Sequence, residues 1–245
     1  MKYNNVVGGK FLSRPNRFIA KVEIDGKEET VHVKNTGRCR ELLIPGAEIW
    51  LEHSDNPDRK TSYDLFAVYK EGLGLINMDS QAPNKVVREW MEGKQKPHVR
   101  IEKGYCLPEN VTMVKPEYTF GKSRIDFYFE CEDQQGNIKK CLMEVKGVTL
   151  EKEGIACFPD APTERGIKHI RELEGALEEG YECFLAFVIQ MPEILDIRPN
   201  DETHPAFGEA LRRAHKKGIK ILSLGCHMEK DEIHICSGKV IDELC

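Results

Sequence analysis

Long hydrophobic runs are absent from this 245-residue sequence. The longest, CFLAFVI at residues 183–189, is far shorter than the ~20 apolar residues that a transmembrane helix needs. The first residues, MKYNNVVGGK, also lack the apolar core of a secretory signal peptide. We therefore expect a cytoplasmic protein that makes no contact with a membrane.

Paired cysteine motifs are also missing. The chain has nine cysteines, but no two stand at C-x-x-C spacing, so neither a zinc ribbon nor a thioredoxin-like motif is indicated. An odd number of cysteines without a secretory signal predicts reduced thiols that pack as small hydrophobic side chains. Near the C-terminus, Cys226-His227 and His234-x-Cys236 could hold a metal, but their spacing fits no standard zinc module. A further β-strand at residues 232–236 is the preferred interpretation.

The sequence has neither a strong net charge nor a low-complexity segment. With 36 basic and 41 acidic side chains its formal net charge is −5, and 40% of its residues are hydrophobic, which together exclude a fully disordered chain. The acidic total argues against binding of polyanions by the whole surface. The first forty residues nevertheless contain six basic side chains that could form one face: Arg14, Arg17, Lys21, Lys34, Arg38 and Arg40.

The first eighty residues have the alternating pattern of β-strands. An Asp25-Gly26 pair between two alternating runs is a strong signal for a hairpin. Five strands are predicted, at residues 17–24, 29–33, 47–52, 64–69 and 73–78. Five short strands favour a small OB-like β-barrel, although a β-sandwich would produce a similar pattern.

At residues 84–92 the apolar side chains recur with the period of a helix, and we interpret this helix as the domain boundary. Strands are then predicted at residues 111–120, 124–130 and 140–149, followed by a helix from Thr163 to Gly180, a strand at 183–190, a helix at 205–217 and a strand at 219–224. This order implies a mixed sheet flanked by helices. The fold class is therefore α+β or α/β, with a five-stranded OB-like barrel at residues 1–82 and a mixed-sheet domain at residues 83–245.

Two of the predicted strands carry charged residues that could meet. Asp126 lies between Ile125 and Phe127 and so faces away from them, while Glu144 and Lys146 share one face of the next strand. If these strands pair as a hairpin, the three side chains converge. Two neighbouring carboxylates suit Mg²⁺, and a lysine beside them can orient water or stabilise a phosphorane, as metal-assisted phosphodiester hydrolysis requires. A solvated sheet face with a surface ion pair has the same pattern.

Two further groups could contact nucleic acid. On the helix that begins at Thr163, the residues Arg165, His169 and Glu172 form a polar stripe, which could also be a solvated helix face. In the N-terminal half, four basic side chains could follow a phosphate backbone, as in OB-folds that bind single strands: Arg14, Arg17, Lys34 and Arg38. Few aromatic residues lie among them, so a solvated basic face is the alternative.

Four motifs resemble those of the sugar fermentation stimulation protein (SfsA) family. They are NTGR at residues 35–38, GKSRIDF at 121–127, EVKGVTL at 144–150 and FPDAPTERG at 158–166. The resemblance extends from about residue 18 to about residue 224, in the family's order, and the last two motifs are the most specific. It implies an OB-like domain followed by a PD-(D/E)XK nuclease-like domain, in a family described as nucleic-acid binding and linked to regulation of sugar metabolism.

The resemblance also assigns roles to individual residues. It places Asp126, Glu144 and Lys146 at the catalytic positions of the nuclease motif, with Asp126, Glu144 and Glu117 as the candidate metal ligands for Mg²⁺ or Mn²⁺. Nucleic acid is expected to contact seven residues: Arg14, Arg17, Lys34, Asn35, Arg38, Arg165 and His169.

The leading hypothesis is therefore a divalent-metal-dependent nuclease of DNA or RNA. The main alternative is a non-catalytic DNA-binding regulator of sugar-metabolism genes, in which the nuclease fold has lost its activity. Hydrolysis of a smaller phosphoester is a third interpretation. Whether the chain forms a homodimer stays open.

Overall fold

The computed structural model describes residues 1–35, 37–94, 99, 101, 107 and 109–244. The N-terminal unit contains six strands: β1 (Val6–Asn16), β2 (Ile19–Ile24), β3 (Lys27–Val33), β4 (Glu48–His53), β5 (Tyr63–Lys70) and β6 (Gly74–Asn77). Antiparallel pairing joins β3, β2, β1, β4 and β5 in that order, and a parallel pairing of β3 with β5 closes the ring. The five-stranded OB-like barrel is thus confirmed, and the sandwich alternative is excluded.

The barrel contains a strand that the sequence did not predict. The first predicted strand began at residue 17, whereas β1 runs from Val6 to Asn16 and pairs with both β2 and β4. Its alternation is obscured because Phe11 is its only buried side chain and two glycines lie near its start. Gly9 is required there, since a Cβ atom would come within 2.7 Å of the Glu23 carbonyl oxygen. Conversely, the predicted strand at residues 73–78 is β6, which pairs only with β5 outside the ring.

The second unit begins with helix α1 (Ala82–Met91), which starts five residues after β6 ends. Its large sheet has the order β15-β14-β12-β9-β8-β7. The strands are β7 (Val111–Phe120), β8 (Ser123–Glu132), β9 (Ile138–Val148), β12 (Glu182–Ile189), β14 (Lys220–Met228) and β15 (Ile233–Val240). The central pairs β9–β12 and β12–β14 are parallel, and the outer pairs are antiparallel, so the predicted mixed sheet is confirmed.

Helices cover both faces of this sheet. The apolar side of α1, with Val86 and Trp90, packs on the face that carries Phe127. Helices α2 (Glu164–Glu178) and α3 (Pro205–Lys217) pack on the other face, where the core continues into the barrel. The start of α2 is capped by Thr163, whose Oγ1 accepts a hydrogen bond from the Gly166 N–H at 3.0 Å. No helix among the described residues is long and apolar enough to cross a membrane.

A small third sheet stands beside the carboxyl end of β9. It consists of β10 (Glu151–Lys152), β11 (Ile155–Phe158) and β13 (Ile197–Pro199), with β11 in the middle. This sheet holds residues 157–160 against the loop that follows the barrel strand β3, and it forms one wall of the space between the two units.

Buried polar side chains connect the barrel to the second unit. Gln190, which directly follows β12, donates through Nε2 to Asn77 Oδ1 at 2.9 Å and to the Asp79 carbonyl at 3.1 Å. Asn77 donates to the Tyr3 hydroxyl at 2.8 Å, and that hydroxyl donates to Asp79 Oδ2 at 3.2 Å. Buried polar groups are costly unless they are paired, so this network fixes the two units relative to each other.

The cysteines depart in part from the prediction of reduced thiols. Six described cysteines are free: Cys39, Cys141, Cys157, Cys183, Cys226 and Cys236. Cys131, however, is disulfide-bonded, so the expectation of nine reduced thiols is wrong for this residue. Cys131 is also only 3.7 Å, sulfur to sulfur, from free Cys141 on the neighbouring strand, and sequence spacing does not show which cysteines the packed sheet brings together.

Candidate metal and nucleic-acid site

Asp126 lies at the point where β8 separates from β9. The last paired residues are Phe127 and Met143, so Asp126 and Glu144 follow at the next register position. There the Asp126 side chain takes a hydrogen bond from β9, because its Oδ2 accepts from the Val145 N–H at 2.8 Å. Its Oδ1 accepts from Asn84 Nδ2, also at 2.8 Å. The carboxylate is therefore held in one orientation from two sides.

Glu144 is buried beside Lys146 and His169. One carboxylate oxygen, Oε1, accepts from Lys146 Nζ at 2.6 Å and contacts His169 Nδ1. The other oxygen, Oε2, is buried and has no hydrogen-bond partner in the structure. A residue only 2% exposed normally satisfies all of its polar atoms. The free oxygen therefore points to a ligand that neutralises it.

The two carboxyl groups differ in their electrostatics. Burial, followed by the nearby charge of Glu144, raises the pKa of Asp126, although the Val145 and Asn84 hydrogen bonds and Lys146 oppose the change. Burial alone would also raise the pKa of Glu144, but hydrogen bonds and charge from His169 and Lys146 outweigh it and lower the pKa. Glu144 is thus stabilised as an anion, whereas for Asp126 burial and the charge of Glu144 outweigh the stabilisation that Lys146 and the two hydrogen bonds provide.

The polar stripe of α2 is turned towards the sheet. His169 is buried, and Arg165 Nε donates to its Nε2 at 3.3 Å, so Arg165 is linked to Glu144 through the imidazole ring. One turn further on, Glu172 contacts the Ser123 hydroxyl on β8. The alternative of a solvated helix face is therefore wrong for His169, because its ring lies between the helix and Glu144.

Glu117 lies on β7 between the pairs Pro116–Phe127 and Tyr118–Ile125, level with Asp126, but its side chain is paired elsewhere. It has a left-handed backbone conformation, with φ of 56°, and its exposed carboxylate pairs with Arg124. Within the part of the chain that the structure describes, no three His, Cys, Asp or Glu side chains form a group that could hold a metal. The structure thus brings Asp126, Glu144 and Lys146 together, but leaves Glu117 outside the cluster.

The predicted basic face contains side chains of two kinds. The Arg14 guanidinium donates to four backbone carbonyls, those of Arg17, Asn35, Gly37 and Arg38, at 2.6–2.8 Å. Lys34 is ion-paired with Glu52 and Asp79, and Asn35 donates to the Met78 carbonyl. These three residues therefore build the loop after β3.

The remaining arginines of this face are available to a ligand. Arg17, Arg38 and Arg40 are exposed and make no ion pair among the described residues. They line a cavity of about 490 Å³, which we call the arginine cavity, together with Arg14, Asn16, Gly37, Leu43, Asp160 and Ala161. Asn84 had no signal in the sequence, and Asp160 appeared only within the motif at residues 158–166, with no role assigned to it, because their contacts join segments far apart in the chain.

The cysteines and histidines near the C-terminus lie on a hairpin. Cys226 pairs with Ile235 and His227 pairs with His234, so the predicted extra strand is present as β15. The two imidazole rings are 5.3 Å apart between their centroids. Cys226 is buried whereas Cys236 is exposed, and these residues do not form a metal-binding group.

Comparisons with known proteins agree with this architecture. The model of the SfsA N-terminal OB domain matches residues 12–78, and that of the sugar fermentation stimulation protein RE domain matches residues 81–232. A sugar fermentation stimulation protein homolog of Desulfitobacterium hafniense is 56% identical over 233 residues, covering 95% of this chain and 94% of its own. A homolog of Clostridium beijerinckii is 52% identical over 235 residues, with 96% of each chain covered. The structure of Pyrococcus furiosus SfsA in complex with Ca²⁺ is 28% identical, with a TM-score of 0.79 over 96% of this chain and 95% of that one. The chain therefore belongs to the sugar fermentation stimulation protein family.

Proposed function

We propose that this protein binds nucleic acid and hydrolyses phosphodiester bonds with a divalent cation held by Asp126 and Glu144. The observation that carries the proposal is the buried Glu144 Oε2, which has no donor, beside an Asp126 carboxylate whose charge is poorly compensated. Both groups are oxygen ligands of the kind that Mg²⁺ and Mn²⁺ prefer. The Ca²⁺ complex of the Pyrococcus furiosus relative supports a divalent cation in this family.

Each residue of the cluster has a role that its contacts suggest. When bound, a divalent cation would polarise a phosphoryl oxygen and activate water. Lys146, about 15% exposed, would place its ammonium group against the charge that develops on the phosphate. His169 contacts the same oxygen of Glu144 as Lys146 does, and Asn84 holds the Asp126 carboxylate. Glu117 is proposed as a further ligand that would have to leave Arg124 to reach the cation.

Nucleic-acid binding is proposed for the barrel and its exposed arginines. OB-folds bind single strands along one face with basic and aromatic side chains. Arg17 and Arg38 extend from backbone segments that Arg14 holds together, which places two positive charges at the entrance of the arginine cavity. Arg165 would meet the phosphate chain nearer to Lys146, whereas Arg14 and Lys34 would support the loop rather than touch the ligand.

Calorimetry with Mn²⁺ and a cleavage assay on labelled DNA and RNA test the metal site. Asp126→Asn and Glu144→Gln should abolish metal binding and cleavage together. Lys146→Ala should keep metal binding but lower cleavage by ~10²–10³-fold, the usual loss when one electrostatic stabiliser is removed. Glu132→Gln, an exposed acidic residue at the far end of β8, is the matched control and should behave as wild type. A wild-type protein that binds neither Mn²⁺ nor Mg²⁺ would contradict the proposal.

A non-catalytic regulator that binds DNA is the second candidate. It is favoured by the contacts of Glu144 Oε1, which Lys146 and His169 satisfy without a cation. In that case the same assays would show nucleic-acid binding with no cleavage in any metal, and Asp126→Asn would leave the affinity for DNA unchanged.

A further inference from the structure

A second cavity lies between the barrel and the second unit, at the carboxyl end of β9. It has a volume of about 280 Å³, and we call it the crevice. Its walls are Asn35, Gly37 and Ser80 on one side and residues 147–150, Cys157, Phe158, Asp160 and Gln190 on the other. Gly147 directly follows Lys146, and both Gly37 and Asp160 line the arginine cavity as well. The two cavities therefore adjoin and lead from the exposed arginines to the carboxyl end of β9.

Several polar side chains of the crevice already make hydrogen bonds within the protein. The Asn35 amide is bonded at both ends, since its Oδ1 accepts from the Gly37 N–H and its Nδ2 donates to the Met78 carbonyl, and the Ser80 hydroxyl donates to the Lys34 carbonyl. The Gln190 Nε2 is also occupied, by Asn77 and Asp79. Two acceptors remain without a donor in the described part of the chain: the Asp160 carboxylate and Gln190 Oε1. The free side chains thus offer two oxygen acceptors and the Thr149 hydroxyl, which can donate or accept, and half-buried Phe158 adds an aromatic wall.

We propose that one unpaired strand of nucleic acid runs through both cavities, with its phosphates on the arginines and one base enclosed in the crevice. The inference rests on the nucleic-acid binding proposed above and specifies its substrate. The crevice cannot hold base-paired nucleic acid, because a duplex is wider than its ~12 Å major groove whereas a 280 Å³ space is a cube of ~6.5 Å. Asp160 borders both cavities, but arginines offset its charge in the arginine cavity, whereas no basic side chain is among the described residues that line the crevice. A phosphate in the crevice would therefore be repelled, so a base occupies it instead.

The free acceptors also determine which bases fit. Cytosine, adenine and guanine each present an amino group that donates hydrogen bonds, whereas thymine presents carbonyl oxygens on both sides of its single N–H. Carbonyl oxygens placed against Asp160 and Gln190 Oε1 would leave acceptors facing acceptors, which is unfavourable in an enclosed site. The crevice therefore prefers a base with an amino group to thymine or uracil.

Fluorescence anisotropy in EDTA tests this inference without cleavage. The probes are labelled oligo-dC and oligo-dT of equal length and a duplex of the same cytosine content. Wild type should bind oligo-dC about fivefold more tightly than oligo-dT, the lower end of what one well-placed base contact contributes, and should bind the duplex more weakly than either. The full-length protein is used throughout, because buried polar contacts join its two units.

Two variants separate the base contact from the phosphate contact. Asp160→Asn keeps one acceptor and adds a donor, so it should improve oligo-dT binding and bring the two affinities close together. Asp58→Asn removes the same charge from an exposed barrel loop and should leave their ratio unchanged. Arg38→Ala should weaken both oligonucleotides equally and reduce the salt slope by ~0.7, as expected for one phosphate contact on a single strand.

The outcomes distinguish this inference from the proposed function. Equal binding of duplex and single strand, or a dC-to-dT ratio that Asp160→Asn does not change, would overturn the single-strand path and leave nucleic-acid binding intact. Absence of binding to all three probes at low salt would instead overturn the proposed function itself.

Discussion

Asn84 offers a sensitive test of the geometry around Asp126. Its Nδ2 donates to Asp126 Oδ1 at 2.8 Å, and it lies in the first turn of α1. Replacement of Asn84 by alanine removes one hydrogen bond to an ionised group, a loss of ~1.5–3 kcal/mol. The lower end applies because Asp126 is half-buried and water can replace part of the bond. Alanine also regains up to ~0.7 kcal/mol of helix propensity, so Asn84→Ala should destabilise the metal-free protein by about 1 kcal/mol.

Asn84→Asp reverses the interaction instead of deleting it. Two carboxylates ~4 Å apart repel by about 4 kcal/mol at the effective dielectric constant of a protein surface. An aspartate in the first turn of a helix gains only ~0.3–1 kcal/mol from the helix dipole, so a net loss of about 3 kcal/mol is expected at neutral pH in EDTA. For a domain of this size that loss lowers the melting temperature by ~6–12 °C.

A divalent cation should remove this penalty. Mn²⁺ at one hundred times its dissociation constant stabilises a protein by about 2.7 kcal/mol, and a third carboxylate should strengthen the site further. Mn²⁺ should therefore raise the melting temperature of Asn84→Asp more than that of wild type. The measurements are thermal unfolding in EDTA and in Mn²⁺, with Lys85→Ala, an exposed neighbour on α1, as the control. If Asn84→Asp in EDTA is as stable as Asn84→Ala, or if Mn²⁺ shifts both equally, the carboxylates do not face one ion and the reasoning is refuted.

Three further predictions concern pH, thiols and the contact between the two units. The pKa of Asp126 is raised in the folded state, so this residue stabilises the protein below its ordinary pKa and loses that contribution as the pH rises. In urea titrations without metal, the stability of Asp126→Asn relative to wild type should therefore increase from acid to neutral pH. A difference that does not change with pH would contradict the raised pKa of Asp126. Among the free cysteines, exposed Cys236 should be alkylated first in the native protein at mild alkaline pH. Burial raises the pKa of Cys39 to about 12 and protects its thiol, and peptide mass spectrometry gives the order in which the cysteines react. Gln190→Leu should lower the free energy of unfolding by about 1–3 kcal/mol, since it removes two buried hydrogen bonds while the Asp79 and Ala82 N–H groups still donate to the same two acceptors. A loss below about 0.5 kcal/mol would show that the network does not hold the units together.

Local signals were enough to predict most elements of the second unit. Helix α3 was expected at residues 205–217 and lies there, because Pro205 suits a first helical position and Gly218 adopts the left-handed conformation, with φ of 107°, that ends a helix. Alternation also predicted that Asp126, Glu144 and Lys146 share one face if their strands pair, since the period of a strand is two. The register that sets Asp126 level with Glu144 is known from the structure. Strand β1 was missed, because it lies at the barrel surface and has no alternating pattern.

The parts of the site that escaped prediction depend on contacts between distant segments. Charge identified Arg14 and Arg38 equally, but only the structure shows that the Arg14 guanidinium is used up on backbone carbonyls while Arg38 is exposed. Asn84 and Gln190 act through hydrogen bonds that span 42 and 113 residues, and no local pattern indicates such contacts. Fold could thus be predicted from periodicity, whereas the division between supporting and available side chains could not.

The polar network around Gln190 determines the distance between the two ends of the proposed path. Because buried hydrogen bonds cross from β12 to the end of the barrel, the units have no free hinge there, and the exposed arginines stand at a constant separation from Asp126 and Glu144. A strand that contacts the arginines and reaches the carboxylates would have to span that separation with a set number of nucleotides. The contact between the two units would then set how many nucleotides separate the phosphate that reacts from the nucleotides bound on the barrel.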